Sequence, residues 1–220
     1  MSKNTFNIQF QNWKIFLLTC LCGIICFVSV EEITLAQAQP VNPLEAIKSD
    51  SLIPPGYGQR ELTSFEKYRI EKEIVDLNQT ATAELAQGHA DRAFKLWYRQ
   101  LRLTRTLDTI AEIKALGKIG AIAWQENRGA DVRNIAQRLI TIQEAITAKK
   151  PLSPNLLNEF AIAYQEVRYL DRVIAIYQQI LTNSRKSNSS IAEQENVETL
   201  GKRYLARYDY RGAARIYREV

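Results

Sequence analysis

From Asp91 onward, the apolar positions of the chain fall into a pattern that returns. Asp91-Arg92-Ala93-Phe94-Lys95-Leu96-Trp97-Tyr98-Arg99-Gln100-Leu101 reappears as Asp171-Arg172-Val173-Ile174-Ala175-Ile176-Tyr177-Gln178-Gln179-Ile180-Leu181. It appears again as Arg211-Gly212-Ala213-Ala214-Arg215-Ile216-Tyr217-Arg218-Glu219-Val220. Each copy sets a small or β-branched residue four positions before an aromatic ring and an aliphatic residue three or four later. That spacing marks one face of a helix. A helical unit repeated about every 40 residues predicts a solenoid, in which each unit buries its apolar face against the next.

The segments before each copy repeat as well. Leu157-x-x-Phe160-Ala161-x-x-Tyr164 precedes Val173-x-x-x-Tyr177, and Val197-x-x-Leu200-Gly201-x-x-Tyr204 precedes Ala213-x-x-x-Tyr217. Twelve positions separate the small residue of the first helix from that of the second, in Ala161 to Val173, Gly201 to Ala213 and Ala81 to Ala93. Ile113-x-x-Leu116-Gly117-x-x-Gly120 opens a further copy, because Leu116-Gly117-Lys118 echoes Leu200-Gly201-Lys202. In that register the second helix centres on Ala136, nineteen positions after Gly117. The seven extra residues predict a hairpin longer by about two helical turns.

This order of large apolar residue, Leu-Gly, Tyr, then Ala and an aromatic residue resembles the tetratricopeptide repeat family over residues 74–220. The fourth copy matches best and the first two are degenerate; the family's proline near the end of the second helix is missing from every copy. The resemblance implies an all-α fold, a right-handed solenoid of about four antiparallel helix hairpins, with the last one incomplete at Val220. It also implies that the first helix of each hairpin lines a concave groove for a protein or peptide segment. Carried onto this sequence, the groove positions are Lys114, Lys118 and Ile122 in the second hairpin, Asn155, Asn158, Ile162 and Gln165 in the third, and Glu198, Lys202 and Leu205 in the fourth. Amides there suit a peptide backbone and the lysines suit carboxylates. Only a partial echo of the family's clamp for chaperone tails is present.

The N-terminus places this domain. Ile15 to Val30 is a run of sixteen residues without a charge, preceded by Lys3 and Lys14 and followed by Ala36-Gln37-Ala38. A basic start, an apolar core and a small-x-small site read as a signal peptide over residues 1–38, with a retained anchor as the alternative. The Leu-Ala-Gln-Ala-Gln-Pro stretch and the style of repeat resemble exported tetratricopeptide proteins of cyanobacteria. All three cysteines, Cys20, Cys22 and Cys26, fall inside this segment. The mature chain would hold no disulfide, thiolate metal site or cysteine nucleophile. Its net charge would stay at +5, since Lys3 and Lys14 balance Glu31 and Glu32.

Residues 39–60 hold four of the six prolines, with Gly56 and Gly58, and read as a mobile tether before a helical domain over 61–220. Thr63 with Glu66 predicts a capping box opening a long helix to Gln87. Pro151 ends the second hairpin, Ser153-Pro154 opens the third, and the polar run Asn183 to Ser190 separates third from fourth.

Candidate chemistry changes this picture little. His89 is the single histidine and sits at a predicted turn without a partner for acid–base work. No metal-ligand cluster, phosphate loop or nucleophile elbow is present, which predicts a non-enzyme without cofactor or metal. Carboxylates are expected on solvated helix faces. Arg92, Lys95, Arg99 and Arg102 share one helix stripe, which reads as a solvated convex face rather than a polyanion site. Tyr164, Tyr177, Tyr204, Tyr217, Trp97 and Trp124 fall at packing positions and read as core. The expected function is an exported scaffold for protein–protein interaction or complex assembly, binding no nucleic acid. The alternative is the non-catalytic helical part of a longer cell-envelope enzyme such as a cell-wall hydrolase.

Overall fold

The computed structural model describes residues 42–45, 50–186 and 190–218. The signal-peptide expectation over 1–38 lies outside them. Among the described residues the chain forms eight α-helices and no strand: α1 (Ser64–Ala86), α2 (Ala90–Thr104), α3 (Thr109–Gln125), α4 (Gly129–Thr147), α5 (Pro154–Glu166), α6 (Leu170–Lys186), α7 (Ser190–Leu205) and α8 (Tyr210–Tyr217). No helix is long and apolar enough to cross a membrane, among the described residues.

The helices begin where side chains can take up orphaned backbone N–H groups. Thr63 and Glu66 close the expected capping box on α1, and Arg60 holds Glu66 from outside at 2.6 Å. Asp108 caps α3 through Ala111 N, Ser153 caps α5 with Pro154 in the first turn, and Asp209 caps α8 through Gly212 N. Each such cap contributes about 1 kcal/mol.

Four of the turns are one structure. After α1, α3, α5 and α7 the chain places Gly88, Asn127, Arg168 and Tyr208 in the left-handed region, with φ of 82°, 55°, 59° and 59°. In each, the next amide reaches back five residues: His89 to Glu84, Arg128 to Ala123, Tyr169 to Tyr164 and Asp209 to Tyr204. The left-handed residue itself bonds three back, which completes a Schellman motif. A connection of this kind, three residues long in the first three turns and four in the last, reverses the chain. Residue pairs across α1 and α2 confirm the reversal: Glu84 with Arg92, Asn78 with Trp97 and Glu73 with Arg99 have nearly constant index sums.

The common turn corrects the register of the second pair. Counting from the left-handed residue, Ala81, Gly120, Ala161 and Gly201 are equivalent, as are Ala93, Val132, Val173 and Ala213. The interval from Gly120 to Val132 is the same twelve residues found elsewhere. The expected seven-residue lengthening does not occur. The matching Leu-Gly-Lys triplets misled, because Gly117 and Gly120 both meet a neighbouring helix. Gly117 approaches Ala163 of α5, and a Cβ on Gly120 would run into Val167 and approach Ile135.

Pairs of helices then pack on each other. α3 and α5 run parallel, with Lys114 by Glu159, Gly117 by Ala163 and Gly120 by Val167 at a nearly constant offset. The Tyr98 hydroxyl of α2 reaches Asp131 of α4, and Arg128, just before α4, pairs with Asp91 at the start of α2. α6 packs antiparallel on α7 through Gln178 with Tyr204 and Arg185 with Glu193. Among the described residues, α1 does not pack on α3, nor α5 on α7.

One core runs from Leu44 through Ile176, with Trp97, Tyr164, Phe94 and Phe160 as its largest fully buried side chains. Trp97 is 1% exposed, lies edge-on to Phe94 and donates its indole N–H to Asn78. A second cluster joins α6, α7 and α8.

The described part of residues 39–60 departs from the tether expectation. Its backbone is irregular, as expected, yet Leu44 is fully buried in the main core. Asn42 donates to the Asn134 carbonyl, Arg105 to the Leu44 carbonyl at 2.6 Å, and Arg138 pairs with Glu45. Asp50 holds Arg99 at 2.7 Å, and Leu52 and Ile53 pack beside Leu62 and Leu103.

Candidate functional site

α3 and α5 present matching stripes to a shared cleft of about 500 Å³. On α3 the lining residues are Lys114, Gly117, Lys118 and Ala121; on α5 they are Glu159, Ile162, Ala163 and Glu166. Both sets follow i, i+3, i+4, i+7, which is one helix face, and the two faces lie side by side because the helices are parallel. Gly117, Ala121 and Ala163 make a floor of small residues. Ile162 stands 57% exposed above it. Cations occupy the α3 wall and carboxylates the α5 wall. Lys114 is bonded to Glu159 at 3.2 Å, whereas Lys118 has no ion-pair partner among the described residues. A floor of small residues allows close backbone approach, and walls of opposite charge orient a dipolar guest.

Of the expected groove residues, the structure therefore brings together Lys114, Lys118 and Ile162. Ile122 turns away, half-buried against the core. Asn155 and Asn158 are exposed on α5 outside the cleft, and Gln165 is half-buried. Glu198 and Lys202 pair with each other at 2.7 Å along α7, and Leu205 is 42% exposed there. This contact holds the Glu198 carboxyl below, and the Lys202 ammonium above, their ordinary values. Lys118 and Lys202 are not equivalent in the common register. Lys118 lies two positions before Gly120, and Lys202 one position after Gly201.

Three further expectations need correction. Trp124 and Tyr217 are not core but 52% and 43% exposed, Trp124 for the same register reason. The arginine stripe of α2 is not a free solvated face. Arg99 is held by Asp50 and Glu73 at 2.7 and 2.5 Å, and burial pushes the Arg102 guanidinium below its ordinary pKa. Carboxylates are not confined to solvated faces either. Glu112 is 4% exposed and is held by Arg105 and Arg138 at 3.1 and 2.8 Å. Asp131 is 8% exposed, accepts from the Tyr98 hydroxyl and pairs with Arg128 at 2.5 Å. Burial and the adjacent Asp131 raise the Tyr98 hydroxyl well above its ordinary value, so it stays a donor. These buried groups are satisfied and join separate elements. Glu112 had one legible signal, its place one residue before Ile113 on the face that meets α4.

His89 is a turn residue, as expected, with Nδ1 2.9 Å from Glu84. No group of His, Cys, Asp or Glu suited to a metal occurs among the described residues. No family model, curated protein or solved structure matches the chain.

Proposed function

We propose that this protein is an exported, tetratricopeptide-like scaffold whose helix pairs stack as a right-handed solenoid and hold a peptide segment of a partner protein in the α3–α5 cleft. The observation that carries the reading is the in-register pair of stripes on two parallel helices from successive pairs. Such a surface exists only where hairpins stack, and its small floor and bipolar walls suit an extended or helical peptide. The four identical turns and the twelve-residue interval support the repeat reading. The basic, apolar and Ala36-Gln37-Ala38 segments support export to a periplasm, cell envelope or lumenal compartment.

A photocrosslinking residue at Ile162 tests this in exporting cells, with the same residue at exposed Lys95 on α2 as control. A discrete protein adduct from Ile162 and none from Lys95 is the expected result. Equal adducts from both positions, or none from Ile162, would remove the cleft as the binding surface. N-terminal sequencing of the exported protein should begin at Gln39; a chain beginning at Met1 would show a retained anchor.

A further inference from the structure

A second concavity of about 380 Å³ lies where the turns of the second and third helix pairs stack. Ala123, Val132 and Val167, 0%, 9% and 1% exposed, are its buried lining. Trp124 and Tyr169 also line it and remain 52% and 42% exposed. A tryptophan left this open on a helix whose neighbouring apolar residues are covered is a surface with unused capacity to bind.

The charge of the lining is one-sided. Three arginines and no carboxylate face the concavity. Arg128 is committed to Asp91 and Asp131 and lies over the Phe94 ring at 4.5 Å. Arg133 and Arg168 have no ion-pair partner among the described residues. The open apolar surface beside two uncommitted guanidinium groups points to use by a ligand.

We propose that this concavity binds an acidic peptide segment, seating one branched or aromatic side chain against Trp124 and Val167 while flanking carboxylates pair with Arg133 and Arg168. Guanidinium groups match carboxylates in paired hydrogen bonds, and the apolar pocket supplies the anchor that charge alone lacks. The site shares no lining residue with the α3–α5 cleft, so it stands or falls separately from the function proposed above.

Calorimetric titration of the full chain with the capped pentapeptide Glu-Asp-Leu-Asp-Glu tests the assignment. Saturable binding below about 1 mM is expected, with at least about tenfold weaker binding of the Gln-Asn-Leu-Asn-Gln and Glu-Asp-Ser-Asp-Glu versions. Trp124→Ala and the pair Arg133→Gln with Arg168→Gln should each weaken binding about tenfold without lowering the melting temperature, since all three side chains are exposed. Lys118→Gln, in the other cleft, should leave it unchanged. Absence of saturable binding, equal affinity for the three peptides, or a loss confined to Lys118→Gln would overturn the proposal. Arg133→Gln alone keeps the test valid if the turn tolerates no change at Arg168.

Discussion

Single glycines and single turn residues decide how closely these helices meet. A Cβ on Gly120 would overlap the Val167 side chain and crowd Ile135, so Gly120→Ala should destabilise by about 1–3 kcal/mol. Gly129 meets only the end of the Arg133 side chain, at 3.6 Å, and Gly129→Ala should be neutral or gain up to about 1 kcal/mol. Thermal melts of the two variants should therefore shift differently; equal shifts would mean that the α3–α5 approach is looser than described. The turns predict opposite signs for opposite changes. Gly88→Ala should cost about 1 kcal/mol at a left-handed position, and Tyr208→Gly, 79% exposed in the same conformation, should recover a similar amount. Denaturant midpoints that fail to move in opposite directions would contradict the common turn.

At the scale of elements, the capping box of α1, the Ser153-Pro154 start of α5 and the burial of Trp97 were legible in sequence because each rests on local chemistry or a strong period. The register of the second pair is not legible in sequence, because two glycines three residues apart, Gly117 and Gly120, both serve close approach and the Leu-Gly-Lys triplet falls on Gly117. Periodicity does not record which neighbour a small residue faces. The placement of Leu44 was illegible for another reason. A single leucine among prolines carries no period, and its burial depends on a concavity that α2 and α4 build from residues far along the chain. Asp50 ties that segment to α2. Its hydrogen bonds to Arg99 hold its carboxyl below the ordinary value of 3.8. A depressed folded value stabilises the docked segment above the ordinary Asp value, and that contribution is lost as pH falls through the lower, folded one. Protection factors of the Leu52 and Ile53 amides should accordingly fall as acid protonates Asp50, and Asp50→Asn should show low protection at neutral pH. Unchanged protection in the variant would show that apolar packing alone docks the segment.

For the molecule as a whole, the helices are tied at several places by ion pairs, one of them on the buried Glu112, as well as by apolar contact. Arg138 joins Glu112 of α3 to Glu45 of the N-terminal segment, and Arg128 joins the second turn to Asp91 at the start of α2. Arg207 makes a similar link two pairs on, from the fourth turn to Asp171 at the start of α6. Leu44 plugs the same core, so Leu44→Ala should destabilise the whole domain by about 2–5 kcal/mol, an effect a free tether would not have. An unchanged melting temperature would return residues 42–45 to the role of linker. The cleft, and the function proposed for it, depend on α3 and α5 lying parallel in one register. A Cβ built on Gly117 would stand 3.3 Å from that of Ala163, close to the separation a disulfide bridges. With Cys20, Cys22 and Cys26 changed to serine, a chain carrying Gly117→Cys and Ala163→Cys should oxidise to an intramolecular disulfide, while Gly117→Cys with Asn158→Cys should not. Failure of the first pair to close, or equal closure of both, would contradict the parallel register from which the cleft is built.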